Sequence, residues 1–302
     1  MTTAFGLILV GEDESEPAET ATQLAVELAA REPGSHVVFC HVVDTSLLYD
    51  RAQIYGYDAM PIHVNIKDEM GVVLARAAEL AAKKHVDCEQ LILDGNPLMK
   101  FLELAQKRNA NLIVIGSHGR RGLQRLFLGS FAEHVVRRSH CPVLIVRDPK
   151  AAPTFQHVLV PVDGSRCSSA GLDLAILTAK THQGKITVLY ALDVNRYATS
   201  LAGLGAKILD VDLLRDSLQA TGRAFLDGAL ARIRAQGIPC DDRIDDRAAW
   251  EAIDGVASDL RADVIIMGTH GRHGVQRVFL GSTTERVLRS STIPVMVVRA
   301  SE

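Results

Sequence analysis

Gly116-Ser-His-Gly119-Arg-Arg-Gly122, followed by Gly129-Ser130 and Pro142-Val-Leu-Ile-Val-Arg147, is written twice in this chain. The second copy reads Gly268-Thr-His-Gly271-Arg-His-Gly274, then Gly281-Ser282, then Pro294-Val-Met-Val-Val-Arg299. Every landmark moves by 152 positions, position 116 becoming 268. Solenoid and propeller units recur at roughly 20–50 residues, so a spacing this long means two copies of a whole domain. Each copy also sets glycines and a hydroxyl where a phosphate can lie.

The residues around the repeat alternate between strands and helices. In the first half the apolar runs Leu7–Val10, Val37–Cys40, Leu91–Leu93, Leu112–Ile115 and Val143–Val146 suit buried strands. Between them come helical segments: one opened by Pro17 and ended by Gly34, one near Lys67–Lys84, then Met99–Lys107 and Ser130–Arg138. The second half repeats the order with Val158–Val160, Ile186–Leu189, Arg243–Ile244, Val264–Met267 and Val295–Val298. Such alternation implies parallel βαβ units with right-handed crossovers, an α/β fold with two tandem doubly wound sheets. The expected domains are residues 1–148 and 155–302, joined by a linker carrying Pro149 and Pro153. The stretches Thr45–Ile66 and Asn195–Asp210 show no clear periodicity and read as irregular insertions, either lids or tolerated loops.

Composition narrows the function. Hydrophobic residues at 47% and charged residues at 23% are ordinary for a globular chain, and a net charge of −3 gives no case for nucleic acid. The five cysteines are scattered without a Cys-x-x-Cys pair, which excludes a zinc ribbon or disulfide framework and suits a reducing compartment. The opening apolar run meets Glu12, Asp13 and Glu14 at once and is a strand, not a signal peptide. No stretch reaches the roughly 20 apolar residues of a membrane span. A cytoplasmic location is expected.

In the repeated loop, Gly116 and Gly119 permit a tight turn and a close ligand approach. Gly129-Ser130 opens a helix whose free N–H groups favour an anion. Arg120, Arg121 and Arg125, matched by Arg272, His273 and Arg277, supply nearby cations. The competing reading is structural: Ser130-x-x-Glu133 and Ser282-x-x-Glu285 both fit a capping box. A capping box does not need Gly-x-x-Gly ten residues earlier, so anion binding explains more. Asp13 and Asp163 lie three residues past the valines of the first strand in each half, at the edge where doubly wound folds bind ligands. A carboxylate there accepts from an amino or hydroxyl group, or else it caps the first helix.

The spacing Gly-x2-Gly-x9-Gly-Ser, the strand-one aspartate and the final Pro-Val-x-x-Val strand together resemble the universal stress protein family in tandem form. The resemblance implies a five-stranded sheet of order 3-2-1-4-5 in each domain, and ATP as ligand. It implies Asp13 and Asp163 near the adenine, with the backbone of Val42 and Ala191 meeting the base. Gly116, Gly119, Gly268 and Gly271 would meet ribose and the first phosphate; Gly129, Ser130, Gly281 and Ser282 would meet the outer phosphates. Magnesium or manganese would arrive on the phosphates. The usual Pro-Val-Asp-Gly-Ser turn is intact at Pro161–Ser165 but reads Gly11-Glu-Asp-Glu-Ser15 in the first half, where Glu12 and Glu14 add negative charge. That difference favours the second domain as the ATP site. Against it, Gly95-Asn96-Pro97 fits the family's third-strand end and Arg247-Ala-Ala249 does not.

No Gly-x4-Gly-Lys-Ser/Thr or Gly-x-Gly-x-x-Gly is present, so neither a P-loop nor a nicotinamide site is expected. His118 and His270 are conceivable bases, though a loop-stabilising hydrogen bond is the plainer role. The expected function is a nucleotide-responsive regulatory protein with slow ATPase activity at most. The alternatives are an interaction scaffold with a protein partner or a slow nucleotide-dependent enzyme. Unpaired edges at Val143–Val146 and Val295–Val298 are costly. They are expected to pair across the domains as an intramolecular pseudo-dimer, or with another chain as a homodimer.

Overall fold

The structure, a computed structural model, describes residues 5–119, 128–147, 155–194, 211–271 and 280–300. The chain divides into two compact units, Met1–Pro153 and Thr154–Glu302. Among the described residues the first unit contains β1 (Leu7–Gly11), α1 (Glu16–Arg31), β2 (His36–Asp44), α2 (Thr45–Tyr55) and α3 (Ala59–Lys83). It continues with β3 (Asp87–Gly95), α4 (Pro97–Lys107), β4 (Leu112–Gly116), α5 (Ser130–Arg138) and β5 (Val143–Val146). Its strands run in the order β3-β2-β1-β4-β5, and every pairing is parallel.

The sheet is covered on both faces. Ile115 and Gly116 are consecutive in β4 and therefore face opposite ways. A Cβ on Gly11, which pairs with Ile115, would meet Ile115 and the Phe101 ring of α4. One on Gly116 would meet the backbone of Pro17 and Ala18 in α1. Helices α1 and α4 thus lie on opposite faces, with α3 packed beside α1 and α5 beside α4. Ile8, Leu9, Val10, Leu112, Ile113 and Val114 are almost wholly buried for this reason.

The second unit repeats the plan with β6 (His157–Pro161), α6 (Arg166–His182), β7 (Lys185–Ala191) and α7 (Val211–Arg234). Then follow β8 (Cys240–Asp245), α8 (Ala249–Asp259), β9 (Val264–Gly268), α9 (Ser282–Ser290) and β10 (Val295–Val298). Its parallel order is β8-β7-β6-β9-β10. Helix α6 approaches β9 closely: a Cβ on Gly268 would stand 2.6 Å from the Cys167 carbonyl carbon.

Two expectations need correction. Thr45–Ile66 is helical, not irregular. Asp44 caps α2 by accepting from the Leu47 N–H at 3.1 Å, left-handed Gly56 ends it, and Asp58 caps α3 through the Met60 N–H at 3.0 Å. Helix α1 ends at Arg31 with Glu32 as its C-cap, before Gly34, which has φ of +89°. The matching stretch Asn195–Asp210 lies outside the described residues, as does most of the linker.

Candidate functional site

In the first unit the site starts where β1 runs out. The Glu12 N–H donates to the Cys40 carbonyl at 2.9 Å, which carries the pairing with β2 one residue past the strand. The chain then turns through Asp13 and Glu14, the latter left-handed at φ 63°. Ser15 caps α1, its hydroxyl accepting from the Ala18 N–H at 3.3 Å. Asp13 is therefore not the helix cap. Its Oδ1 accepts from the Ser15 N–H at 3.0 Å, closing the turn, and Oδ2 lies against Gly119, where any Cβ would collide with it.

The loop after β4 is closed at its base. The Gly129 N–H donates to the Ser117 carbonyl at 2.7 Å, so the chain leaves at Ser117 and returns beside it. A Cβ on Gly129 would stand 3.1 Å from that carbonyl and 3.2 Å from the His118 Cα. Gly129 is also the N-cap of α5, with no side-chain cap bond among the described residues. The capping box therefore does not form at Ser130, because Ser130 is already inside the helix. Glu133 bonds forward to Arg137 at 2.7 Å instead of reaching back. Among the described residues no side chain accepts from the first N–H groups of α5, the arrangement that receives an anion. The cations Arg120, Arg121 and Arg125 lie outside the described residues.

A cavity of about 230 Å³ opens between these pieces. Gly11, Asp13, Val42, Gly116, Gly119 and Gly129 all line it. Pro97, Phe101, Ile115 and Phe131 give it an apolar wall, with the two phenylalanine rings edge-on at 5.4 Å. Small-molecule sites have this character: mostly apolar, with a few convergent polar groups. Asn96 caps α4 through the Met99 N–H at 3.1 Å, which sets Pro97 and Phe101 at the wall. Phe101 and Phe131 were not legible as site residues, since an aromatic on an amphipathic helix reads first as core.

Glu12 also lines the cavity, yet it is only 5% exposed. The Thr22 hydroxyl of α1 donates to its Oε1, and the His41 ring meets its carbonyl oxygen at 2.6 Å. Burial pushes the Glu12 carboxyl up to about 7; Thr22 opposes the rise, and Asp13 and Glu19 add to it. Cys40 lines the cavity too, and burial pushes its thiol up to about 12, so it carries no thiolate chemistry.

The second unit reproduces the frame. Asp163 accepts from the Ser165 N–H at 2.9 Å, and Ser165 caps α6 through the Ser168 N–H at 3.1 Å. A Cβ on Gly271 would meet Asp163 Oδ2 at 2.5 Å. The Gly281 N–H donates to the Thr269 carbonyl at 2.9 Å, and Gly281 caps α9 with no side-chain bond. Here too the capping box fails: Ser282 is inside the helix and Glu285 pairs with Arg289 at 2.6 Å. Gly164 takes the left-handed position at φ 78°, and buried Val162 occupies the place of Glu12. Ala191 ends β7, whereas Val42 lies two residues inside the longer β2. At the third-strand end, Arg247 folds back onto Asp245 at 2.6 Å, and the N-cap of α8, Ala248, offers no side-chain bond. Arg272, His273 and Arg277 lie outside the described residues.

Two parallel sheets of one order, each with a strand-one aspartate locked against a glycine loop, match a known sequence model. The universal stress protein family model covers residues 5–147 and again 154–299. The chain belongs to the universal stress protein family. A universal stress protein of Mycobacterium tuberculosis is 29% identical over 247 residues, 78% of each chain. One from Mycolicibacterium smegmatis is 27% identical over 313 aligned positions, 98% of each. A shorter one from Bacillus subtilis is 35% identical over 147 residues, 47% of this chain and 99% of its own. Among solved structures, a universal stress protein from Archaeoglobus fulgidus shares the fold at a TM-score of 0.72 with 21% identity. It covers 99% of this chain and 98% of its own.

His118 and His270 sit alike in this family frame. His118 Nδ1 lies 2.9 Å from the Ser117 hydroxyl and His270 Nδ1 lies 3.0 Å from that of Thr269. Both rings brace the loop through the residue before them. Among the described residues no group of three or more His, Cys, Asp or Glu side chains is arranged to hold a metal ion. No described helix is long and apolar enough to cross a membrane.

Proposed function

We propose that each unit binds an adenine nucleotide at the carboxyl end of its sheet, and that the chain is a nucleotide-responsive stress regulator. ATP is the preferred ligand, with magnesium or manganese held through its phosphate oxygens. One observation carries the reading. In both units an aspartate oxygen fills the space a Cβ would take at Gly119 or Gly271, while the adjoining helix starts on an uncapped glycine. A fold stabilised only for itself gains nothing from an uncapped helix; a phosphate supplies the missing acceptor.

In this reading Asp13 and Asp163 accept from the base or ribose, and the backbone of Val42 and Ala191 meets the base edge. Gly116, Gly119, Gly268 and Gly271 bring backbone to ribose and first phosphate. Gly129, Ser130, Gly281 and Ser282 hold the outer phosphates. Turnover is slow or absent, because efficient phosphoryl transfer requires a positioned nucleophile and a clamp on the leaving group. Titration calorimetry with magnesium-ATP tests the proposal, with two sites per chain as the expected result. Gly281→Val and the milder Ser282→Asp should each remove one site, as should Ser130→Asp. Absence of heat and of any thermal shift at millimolar nucleotide overturns it.

A second reading, an interaction protein, is favoured by the α2–α3 hairpin. Ile54, Tyr55, Met60 and Val64 are each at least half exposed there. Leu47, Tyr49, Tyr57 and Ile62 are also exposed there. Three tyrosines and a methionine, with no lysine or glutamate between Thr45 and Ile66, are interface chemistry. The occupant is a second copy of this chain, since Asp50, Asp58 and Arg51 leave the patch with little charge to repel itself. Sedimentation should show a dimer that Ile54→Asp with Tyr55→Asp converts to monomer; a monomeric wild-type chain overturns it.

A further inference from the structure

We propose that the first unit's cavity is a proton-coupled nucleotide site, in which Glu12 accepts a polyanion beside it only in its neutral form, whereas the second unit binds without proton uptake. This rests on the nucleotide reading above and goes beyond it by giving the two sites different responses to pH.

The two turns agree at Asp13 and Asp163, at Ser15 and Ser165, and in the close approach of each aspartate to its glycine loop. They differ where Glu12 replaces what is Val162 in the other unit. Both side chains are buried, 5% and 8% exposed, so the first unit has put a carboxyl group where the second has a hydrocarbon. Among the described residues no lysine or arginine pairs with Glu12. The groups that face it are Thr22 and Glu19 from α1, Asp13 from its own turn, and Cys40 and His41 from β2. Its carboxyl has two neutral donors, the Thr22 hydroxyl and the Asp13 backbone N–H, and its two charged neighbours carry its own sign.

An ionised Glu12 is therefore poorly solvated and repelled by Asp13 and Glu19, which two neutral donors do not offset. Its carboxyl already titrates near 7 for these reasons. Phosphates arriving at the uncapped start of α5 bring further negative charge to the same cavity wall. Bound ligand must raise the proton affinity of Glu12 again, and by linkage a proton on Glu12 must raise the affinity for ligand. Between the free and bound titration points the dissociation constant rises up to about tenfold per pH unit. Val162 has no proton to exchange, so the second site lacks this response. The His41 ring touches the Glu12 carbonyl rather than its carboxyl. It is the imidazole at the turn that the test must separate; His118 also lines the cavity, but His270 sits alike in the second unit, so the second site controls for it.

Calorimetric titrations with magnesium-ATP at pH 6.0, 7.0 and 8.5, each in buffers of different ionisation heat, read proton uptake directly. The Ser282→Asp chain reports the first site and the Ser130→Asp chain the second. The first site should weaken by about tenfold or more from pH 6.0 to 8.5 and take up a fraction of a proton, approaching one. The second site, read under the same conditions, corrects for titration of the nucleotide itself. Glu12→Gln in the Ser282→Asp chain should abolish the excess pH dependence, and His41→Asn should leave it in place. Binding with the same slope at both sites, or a slope that survives Glu12→Gln or disappears with His41→Asn, overturns the proton coupling while leaving the nucleotide reading intact. No binding at either site at any pH overturns both.

Discussion

Glu14 and Gly164 hold the same left-handed turn position, at φ 63° and 78°, and only one of them is a glycine. A side chain in that region costs roughly 1–2 kcal/mol. Glu14→Gly should therefore stabilise the first unit by about 0.5–1 kcal/mol, part of the gain being lost to unfolded-chain entropy. The reverse change is worse in the second unit. A Cβ on Gly164 would strike the Phe225 ring, so Gly164→Ala should cost about 1–3 kcal/mol. Urea midpoints of the four chains, wild type included with the Glu14→Ala control, check both signs. Glu12 acts on stability through its proton. Its carboxyl rises from 4.5 to about 7 on folding, so the folded state holds the proton longer than the unfolded chain. The stabilisation is complete below 4.5 and is lost as pH climbs through 7. Between pH 5.5 and 8 the first unit should lose about 2 kcal/mol, and Glu12→Gln should flatten that slope.

At the scale of elements, strands were easier to read than helix ends. The runs Val143–Val146 and Val295–Val298 and the helix Ser130–Arg138 stand where their apolar patterns place them. Other strands extend beyond their apolar cores: β2 reaches Asp44 and β3 reaches Gly95 because backbone pairing continues after side-chain burial ends. Helix α2 escaped notice since it buries little more than Ala52, leaving no stripe to find. Its signals were chemical, Asp44 before it, Gly56 after it and Asp58 opening α3. Asp44→Ala and Asp58→Ala should each cost roughly 1 kcal/mol in local stability, seen as faster amide exchange confined to residues 45–66. An unchanged exchange pattern would contradict the capping roles. The capping box, weighed at Ser130 and Ser282 as the competing reading, does not form. Its spacing is present, but the helix begins one residue early, on a glycine.

Across the whole chain the two units should answer acid and base with opposite signs. The first is weakened as pH rises, by Glu12. The second contains His157, nearly buried and 2.8 Å from the Thr187 hydroxyl. Loss of hydration, aided by Lys185, lowers its proton affinity below the usual 6.5. The folded unit keeps His157 neutral while the unfolded chain takes up a proton near 6.5. Its contribution is whole above 6.5 and declines as pH falls toward the depressed folded value. Exchange of core amides in β1 and β6, compared at pH 5.5 and 8 after correction for intrinsic rates, should therefore shift in opposite directions. His157→Gln should remove the response in the second unit alone. Parallel shifts in both units would refute this assignment.

The duplication, the α/β class, the strand positions and the pairing of aspartate with glycine loop were all written in the residues. Each rests on a local pattern or on a repeat that compares the chain with itself. What only the tertiary structure decided is environment. It made Ser15 the cap and freed Asp13 Oδ2 to meet Gly119; it put α5 on an uncapped glycine; and it set Phe101 and Phe131 around a cavity. Above all it turned Glu12 from one more charge beside the site into a buried acid at the cavity wall. Desolvation and side-chain direction depend on what packs against a residue from distant segments, here α1 and β2, and no local spacing records that.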